Sequence, residues 1–206
     1  MDDTTWRFTL RDNVHFHDNS VLDAETVVNA LSVAATASPK PRILDGVSLT
    51  VKADGDNAVL ISTAQADPLL PQRLSSPPLA ILSRNAYQAN GVVSPINAGS
   101  GPFVLRSVTG TSSATLDRFD GYWGEKAQAS GIDVNLVSDG AARGAALRTG
   151  TADLVEAIPV SQAPLLDQSL IHEVPMPRTN TLYLNTRHGV MQNPAMRAAV
   201  RDAINR

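Results

Sequence analysis

His15 and His17 stand two residues apart, a spacing that on an extended strand turns both imidazoles to one face, where a divalent metal would be chelated. The chain has no cysteine and no third ligand is evident, so a surface or packing role competes with the metal reading. Asp18, Asp23 and Glu25 bring together carboxylates of the kind that perform general acid–base work. Asp23, however, is placed to cap a helix and Glu25 to complement its positive end, which accounts for two of the three without catalysis. Gly99-Ser100-Gly101 has the small residues of a phosphate cradle, but no Lys-Ser or Lys-Thr follows and Pro102 interrupts any helix that would supply amides. A turn at a strand entrance is the expected outcome there. No Gly-x-Ser-x-Gly elbow occurs, and the absence of cysteine removes a thiolate nucleophile, a thiolate metal site and a disulfide framework. The expected catalytic set is therefore none, the expected resident metal none and the expected cofactor none.

Over 206 residues the chain carries a net charge of -3 with 18% charged residues, which gives no basic field for nucleic acid or anionic lipid. The length suffices for one large domain or two small ones. No apolar stretch reaches the roughly 18 to 20 residues that span a bilayer, and the N-terminus lacks a basic-then-apolar signal. A strand pattern begins directly after Met1 to Thr5, and the last helical pattern runs into the terminus, as expected of a piece of a longer polypeptide.

The elements that must hold these residues can be read from periodicity and turn chemistry. Trp6 to Leu10 and Val14 to His17 alternate as two short strands around Arg11-Asp12-Asn13. Asp23 caps a helix with Val27, Leu31 and Ala34 on one face, ending near Ser38 because Pro39 and Pro41 cannot continue it. Val47 to Val51 and Ala58 to Ser62 flank Asp54-Gly55-Asp56-Asn57, the composition of a tight hairpin. Pro77 and Pro78 separate a short helical turn from apolar Leu79 to Leu82, with a loop exposed from Ser75 to Pro78. Residues 91–101, rich in Gly, Ser, Pro and Asn, mark the expected subdomain crossing. Strands are then expected at 103–105, 114–116, 133–137, 154–158, 171–174 and 181–184. Helices are expected at 141–148, closed by Gly150, and from Asn193-Pro194 to the end. Strands and helices mix without a repeat, which indicates an α/β or α+β fold with a mixed β-sheet and flanking helices.

The segments Trp6 to Asp18, Leu22 to Val28, Gly99 to Phe103, Asp120 to Gly124, Arg143 to Asp153, Leu184 to Thr186 and Met196 to Arg206, taken in order, resemble the dipeptide, oligopeptide and nickel-binding family of ABC-importer extracellular solute-binding proteins (family 5). Trp6-Arg7-Phe8-Thr9-Leu10-Arg11 to Val14-His15-Phe16-His17-Asp18 is similar to that family's W-x-F-x-L-R-x-x-V-x-F-H-D signature, and Leu22 to Val28 to the following L-x-A-E-D-V-V helix start. Gly99 to Phe103 resembles its G-T-G-P turn, and Asp120 to Gly124 its N-x-x-Y-W-G segment. Arg143 to Asp153, Leu184-Asn185-Thr186, and Met196 to Ala199 with Ile204-Asn205-Arg206 follow suit. The resemblance implies part of lobe one of a class II (cluster C) periplasmic-binding-protein fold. It assigns residues 1–95 to a small subdomain and 96–206 to part of the main subdomain, with lobe two absent.

The same resemblance implies a binding protein that captures a short peptide or a small nickel-type metal chelate and delivers it to an ABC permease. It performs no chemistry, and its place is periplasmic or that of a membrane-anchored lipoprotein. The competing readings are a hydrolase-type enzyme and a regulatory sensor domain that reuses the fold. Two cleft-facing loops are implied: Pro39 to Ile43, from which Arg42 and Ile43 are the candidate ligand-binding residues, and Ser75 to Pro78, from which they are Ser76 and Pro77. Arg42 suits bidentate pairing with a ligand carboxylate, and a solvated surface arginine is the alternative. Nickel-type members place an arginine where this chain has Pro77, a departure that weakens the chelate reading. Tyr122 and Trp123 are able to stack on a ligand, but a packing role in the core is the expectation, since large aromatics dominate cores by area.

Overall fold

The computed structural model describes residues 3–177, 179 and 181–204. The chain divides into two compact units, residues 1–138 and 139–206. The fold is mixed α/β.

In the first unit, β1 (Thr5–Thr9), β3 (Ala58–Thr63) and β2 (Leu49–Ala53) form an antiparallel sheet in the order β1-β3-β2. The register sets Trp6 opposite Ile61 and Phe8 opposite Val59, so the apolar set of each strand falls on one face. The β2–β3 turn is the predicted Asp54 to Asn57 hairpin. Gly55 adopts a φ of 74°, which a side chain would resist. Helix α1 (Ala24–Thr36) lies on this sheet and buries Ala24, Val27 and Leu31 with Val59, Ile61, Leu44, Leu70 and Leu79 in one core cluster. Its N-cap is Asp23, whose carboxylate accepts from the Thr26 amide at 2.7 Å. The short helix α2 (Leu70–Leu74) follows β3.

The expected strand at 14–17 does not form. Its backbone makes a single bridge, His15 to Val21, and then turns: the Phe16 amide donates to Ser20 O and the Leu22 amide to Val14 O. Asn13 and Asn19, at φ 57° and 67°, supply the left-handed bends that make this compact loop, a conformation asparagine tolerates better than most residues. The loop plants Phe16, 1% exposed, in the interior.

A second antiparallel sheet runs β4 (Phe103–Thr109), β5 (Ser113–Arg118), β6 (Gly131–Asn135) as a meander, with a register shift in β4 between Leu105 and Ser107. β6 begins two residues before the expected 133–137.

The second unit holds α3 (Gly140–Arg148) and α4 (Pro194–Ala203), both where periodicity puts them. Asp139 caps α3 through the Ala142 amide at 2.7 Å, and Gly150 takes the left-handed position after its end at φ 71°. Asn193 caps α4 through the Ala195 amide at 2.9 Å. Residues 205 and 206 of the expected helix lie outside the described residues.

The strands expected at 154–158, 171–174 and 181–184 are absent among the described residues. A strand exists only where another backbone completes its hydrogen bonds, and none is paired to these runs here. Their apolar side chains stand in solvent: Leu154 is 84% exposed and Tyr183 89%.

Candidate functional site

The 3-10 turn Arg42–Leu44 is pinned from below by Leu44, which is fully buried. The Leu44 amide donates to Pro41 O at 2.9 Å, and Lys40 Nζ reaches over to Val47 O at 2.7 Å. This holds the backbone of the turn while leaving Arg42 exposed, with no hydrogen bond or ion pair to its guanidinium among the described residues. Ile43 is half-buried and packs against the core cluster.

The second loop is held in the same way. Leu79, 2% exposed, anchors the 3-10 turn Pro77–Leu79, and its amide donates to Ser76 O at 2.9 Å. Ser76 is half-buried and Pro77 exposed.

Arg73, at the end of α2, joins the two loops. Its Nη1 donates to Ile43 O at 3.0 Å, its Nε pairs with Asp67 Oδ2 at 2.7 Å, and its carbonyl accepts from the Ser76 amide at 3.0 Å. One residue therefore fixes the backbone of both segments that carry Arg42, Ile43, Ser76 and Pro77. No sequence motif marks it; its partners lie six and thirty residues away and meet it only after folding.

The other candidates do not converge on a reaction centre. His15 is exposed, while His17 is buried, with its Nε2 2.9 Å from Gly101 O and its ring edge-on to Phe119. Without a strand at 14–17, the shared face that chelation needs is lost. Gly99 O accepts from the His17 amide at 2.8 Å, so Gly99-Ser100-Gly101 is the turn entering β4, clasped on both sides by one histidine. A Cβ at Gly99 would press to 3.2 Å on the His17 ring, which explains the small residue there.

Asp23 is occupied with Thr26 and with Arg84 Nη2 at 2.9 and 3.0 Å. Burial opposes its charge, but those hydrogen bonds and the Arg84 charge outweigh it and lower its pKa. Asp18 accepts from the Ser20 hydroxyl at 2.6 Å, the Ser20 amide at 3.0 Å and Asn85 Nδ2 at 2.8 Å. Burial again opposes ionisation, yet these donors hold the Asp18 carboxyl at about 2, below the ordinary 3.8. A carboxyl depressed in the folded state stabilises fully above its unfolded pKa and loses that contribution as pH falls toward the folded value. Asp18→Asn should therefore be less stable than the parent by about 1 kcal/mol above pH 5, after allowance for solvent screening, with the gap closing toward pH 2. Urea melts at several pH values read this difference; curves that stay parallel across the window would contradict it.

Trp123 departs from the core placement expected of it. It is 43% exposed, with the Arg11 guanidinium 4.4 Å from its ring centroid and Tyr122 tilted against it at 4.9 Å. Both Arg11 and Trp123 border a cavity of about 310 Å³ in the first unit. Its walls include Phe8, Leu10, Leu22, Leu31, Leu74 and Ile81.

Comparison with known proteins agrees with this architecture. The family model described as the middle part of the bacterial extracellular solute-binding proteins, family 5, matches residues 1–206. A probable D,D-dipeptide-binding periplasmic protein of Escherichia coli K12 is 26% identical over 97% of this chain and 40% of its own length. The nickel-binding periplasmic protein of the same organism is 27% identical over 100% of this chain and 41% of its own length. Among solved structures, NikA from Brucella suis in complex with Fe(III)-EDTA superposes with a TM-score of 0.77 at 24% identity, over 100% of this chain and 44% of that one. A nickel ABC transporter protein from Bacillus halodurans gives 0.69 at 26% identity, over 80% and 34%. The chain thus spans about 40% of the length of the curated relatives it matches.

Proposed function

Because the chain belongs to the family 5 bacterial extracellular solute-binding proteins, we propose that it forms one wall of a solute-capturing cleft in an ABC importer's binding component. The solute is a short peptide or a small metal chelate; similar proteins are named as D,D-dipeptide-binding, glutathione-binding and nickel-binding. Residues 1–95 act as the small subdomain of lobe one and 96–206 as part of the main subdomain, and a second lobe, outside these residues, closes over the ligand by hinge motion. The partner is the importer's permease, and the working location is extracytoplasmic, either periplasmic or lipid-anchored.

The observation that carries this reading is the tie between two loops through Arg73, with an Arg42 guanidinium on one of them that has no partner among the described residues. Preorganised backbone and a free planar cation suit recognition of a carboxylate and require no reacting group. Proline at position 77 favours a peptide over a nickel chelate held by its carboxylates. The experiment is calorimetric titration of a full-length polypeptide carrying these residues against a panel of di- and tripeptides and nickel chelates. Arg42→Ala is expected to weaken an anionic solute by about 1 to 3 kcal/mol while leaving the melting temperature unchanged. Unaltered affinity would return Arg42 to the solvated surface, and turnover of any panel member would contradict the non-catalytic reading.

A further inference from the structure

The cavity in the first unit is separate from the Arg42 and Pro77 surfaces, neither of which lines it, and its chemistry is distinct. At about 310 Å³ it lies at the small end of the roughly 300 to 1,000 Å³ typical of small-molecule pockets. Its accessible apolar walls are the half-buried Phe8, Leu10, Leu22, Leu74 and Ile81, behind which Val59, Ile61 and Leu79 are packed out of solvent. Of the fifteen lining residues, Arg11 alone is charged, and Ser100 alone carries a hydroxyl.

Arg11 is the informative residue. Its guanidinium lies over Trp123, and among the described residues no carboxylate and no hydrogen-bond acceptor meets it. A cation–π contact uses the cation's charge and supplies no oxygen acceptor to its N–H donors. An apolar hollow with one planar cation at its exposed rim, unpaired among the described residues, complements a molecule with a hydrophobic body and one anionic end.

We propose that this cavity binds a small apolar carboxylate, its hydrocarbon part against Phe8, Leu22 and Ile81 and its carboxylate on Arg11 beside Trp123. The proposal stands independently of the transport reading.

The test titrates the 206-residue chain with butanoate, hexanoate and octanoate, and with octan-1-ol as the uncharged control, following tryptophan fluorescence and calorimetry. Each added methylene should raise affinity about threefold to fourfold until the cavity is filled. Octanoate should bind at least tenfold more tightly than octan-1-ol, and Arg11→Gln should abolish that preference while octan-1-ol binding persists. Leu22→Phe, which fills the cavity from a half-buried wall, should weaken octanoate at least tenfold, with the fold checked by circular dichroism. Failure of octanoate to saturate by 10 mM overturns the proposal, as does affinity independent of chain length or undiminished in Arg11→Gln. Binding that vanishes in a polypeptide of the relatives' full length assigns the hollow to another segment of that polypeptide and likewise overturns it.

Discussion

Leu44→Ala is expected to lower the unfolding free energy of the first unit by about 3 kcal/mol, within the 2 to 5 kcal/mol typical of fully buried leucines. Leu44 is the lowest point of the turn that carries Arg42, with none of its surface in contact with solvent, and it belongs to the core cluster formed by α1, β3 and α2. Truncation removes transfer energy and leaves a void that the pinned backbone cannot readily close, since the Leu44 amide and carbonyl are both engaged, with Pro41 and Val47. Both tryptophans, Trp6 and Trp123, lie in this unit, so fluorescence during urea unfolding follows it directly. A loss below about 1 kcal/mol would show that the turn is not anchored through the core.

Arg73→Met is expected to cost about 2 to 3 kcal/mol and to loosen the Arg42 turn. The Arg73–Asp67 pair is largely shielded, with side-chain exposures of 28% and 12%, so removing the cation strands a carboxylate that is poorly hydrated. The Ile43 carbonyl loses its donor in the same step. Arg73→Lys should recover less than half of the loss, because a point charge cannot serve Asp67 and Ile43 O with the spacing of a planar fork. Hydrogen exchange should accelerate at the amides of Leu44 and Val47, which close the turn beside that carbonyl. Equal stability of the methionine variant and the parent, with unchanged exchange at those amides, would mean that Arg73 does not tie the loops together.

Sequence patterning revealed those parts of the fold whose determinants are local. Asp23 with Val27 and Leu31 predicts α1, Asp54-Gly55 predicts the β2–β3 hairpin, and Asn193-Pro194 predicts the start of α4, because a cap, a turn and a stripe each involve neighbours in the chain. Alternation misled at 14–17, where two asparagines in left-handed conformation redirect the backbone. It misled again at 154–158, 171–174 and 181–184, where apolar runs lack a backbone to pair with. Arg42, Ile43, Ser76 and Pro77 follow from resemblance to a family, and of the four only Arg42 has a side chain whose own chemistry, bidentate pairing with a carboxylate, points to a ligand. Arg73 and the Arg11–Trp123 stack were not legible at all, because each depends on distant segments meeting. The same holds for the partners of His17: its alternating context predicts a strand and a surface or packing role rather than a metal site, but the glycine carbonyls entering β4 that it meets lie more than eighty residues away.

The crystal structure of a full-length polypeptide carrying these residues, solved with the solute that co-purifies with it, tests the two-loop wall most directly. It should place that solute between two lobes, within contact distance of both the 39–44 and 75–79 segments, with its anionic group on Arg42. A solute bound elsewhere and touching neither loop, or one enclosed by reactive side chains of this chain alone, would contradict the account.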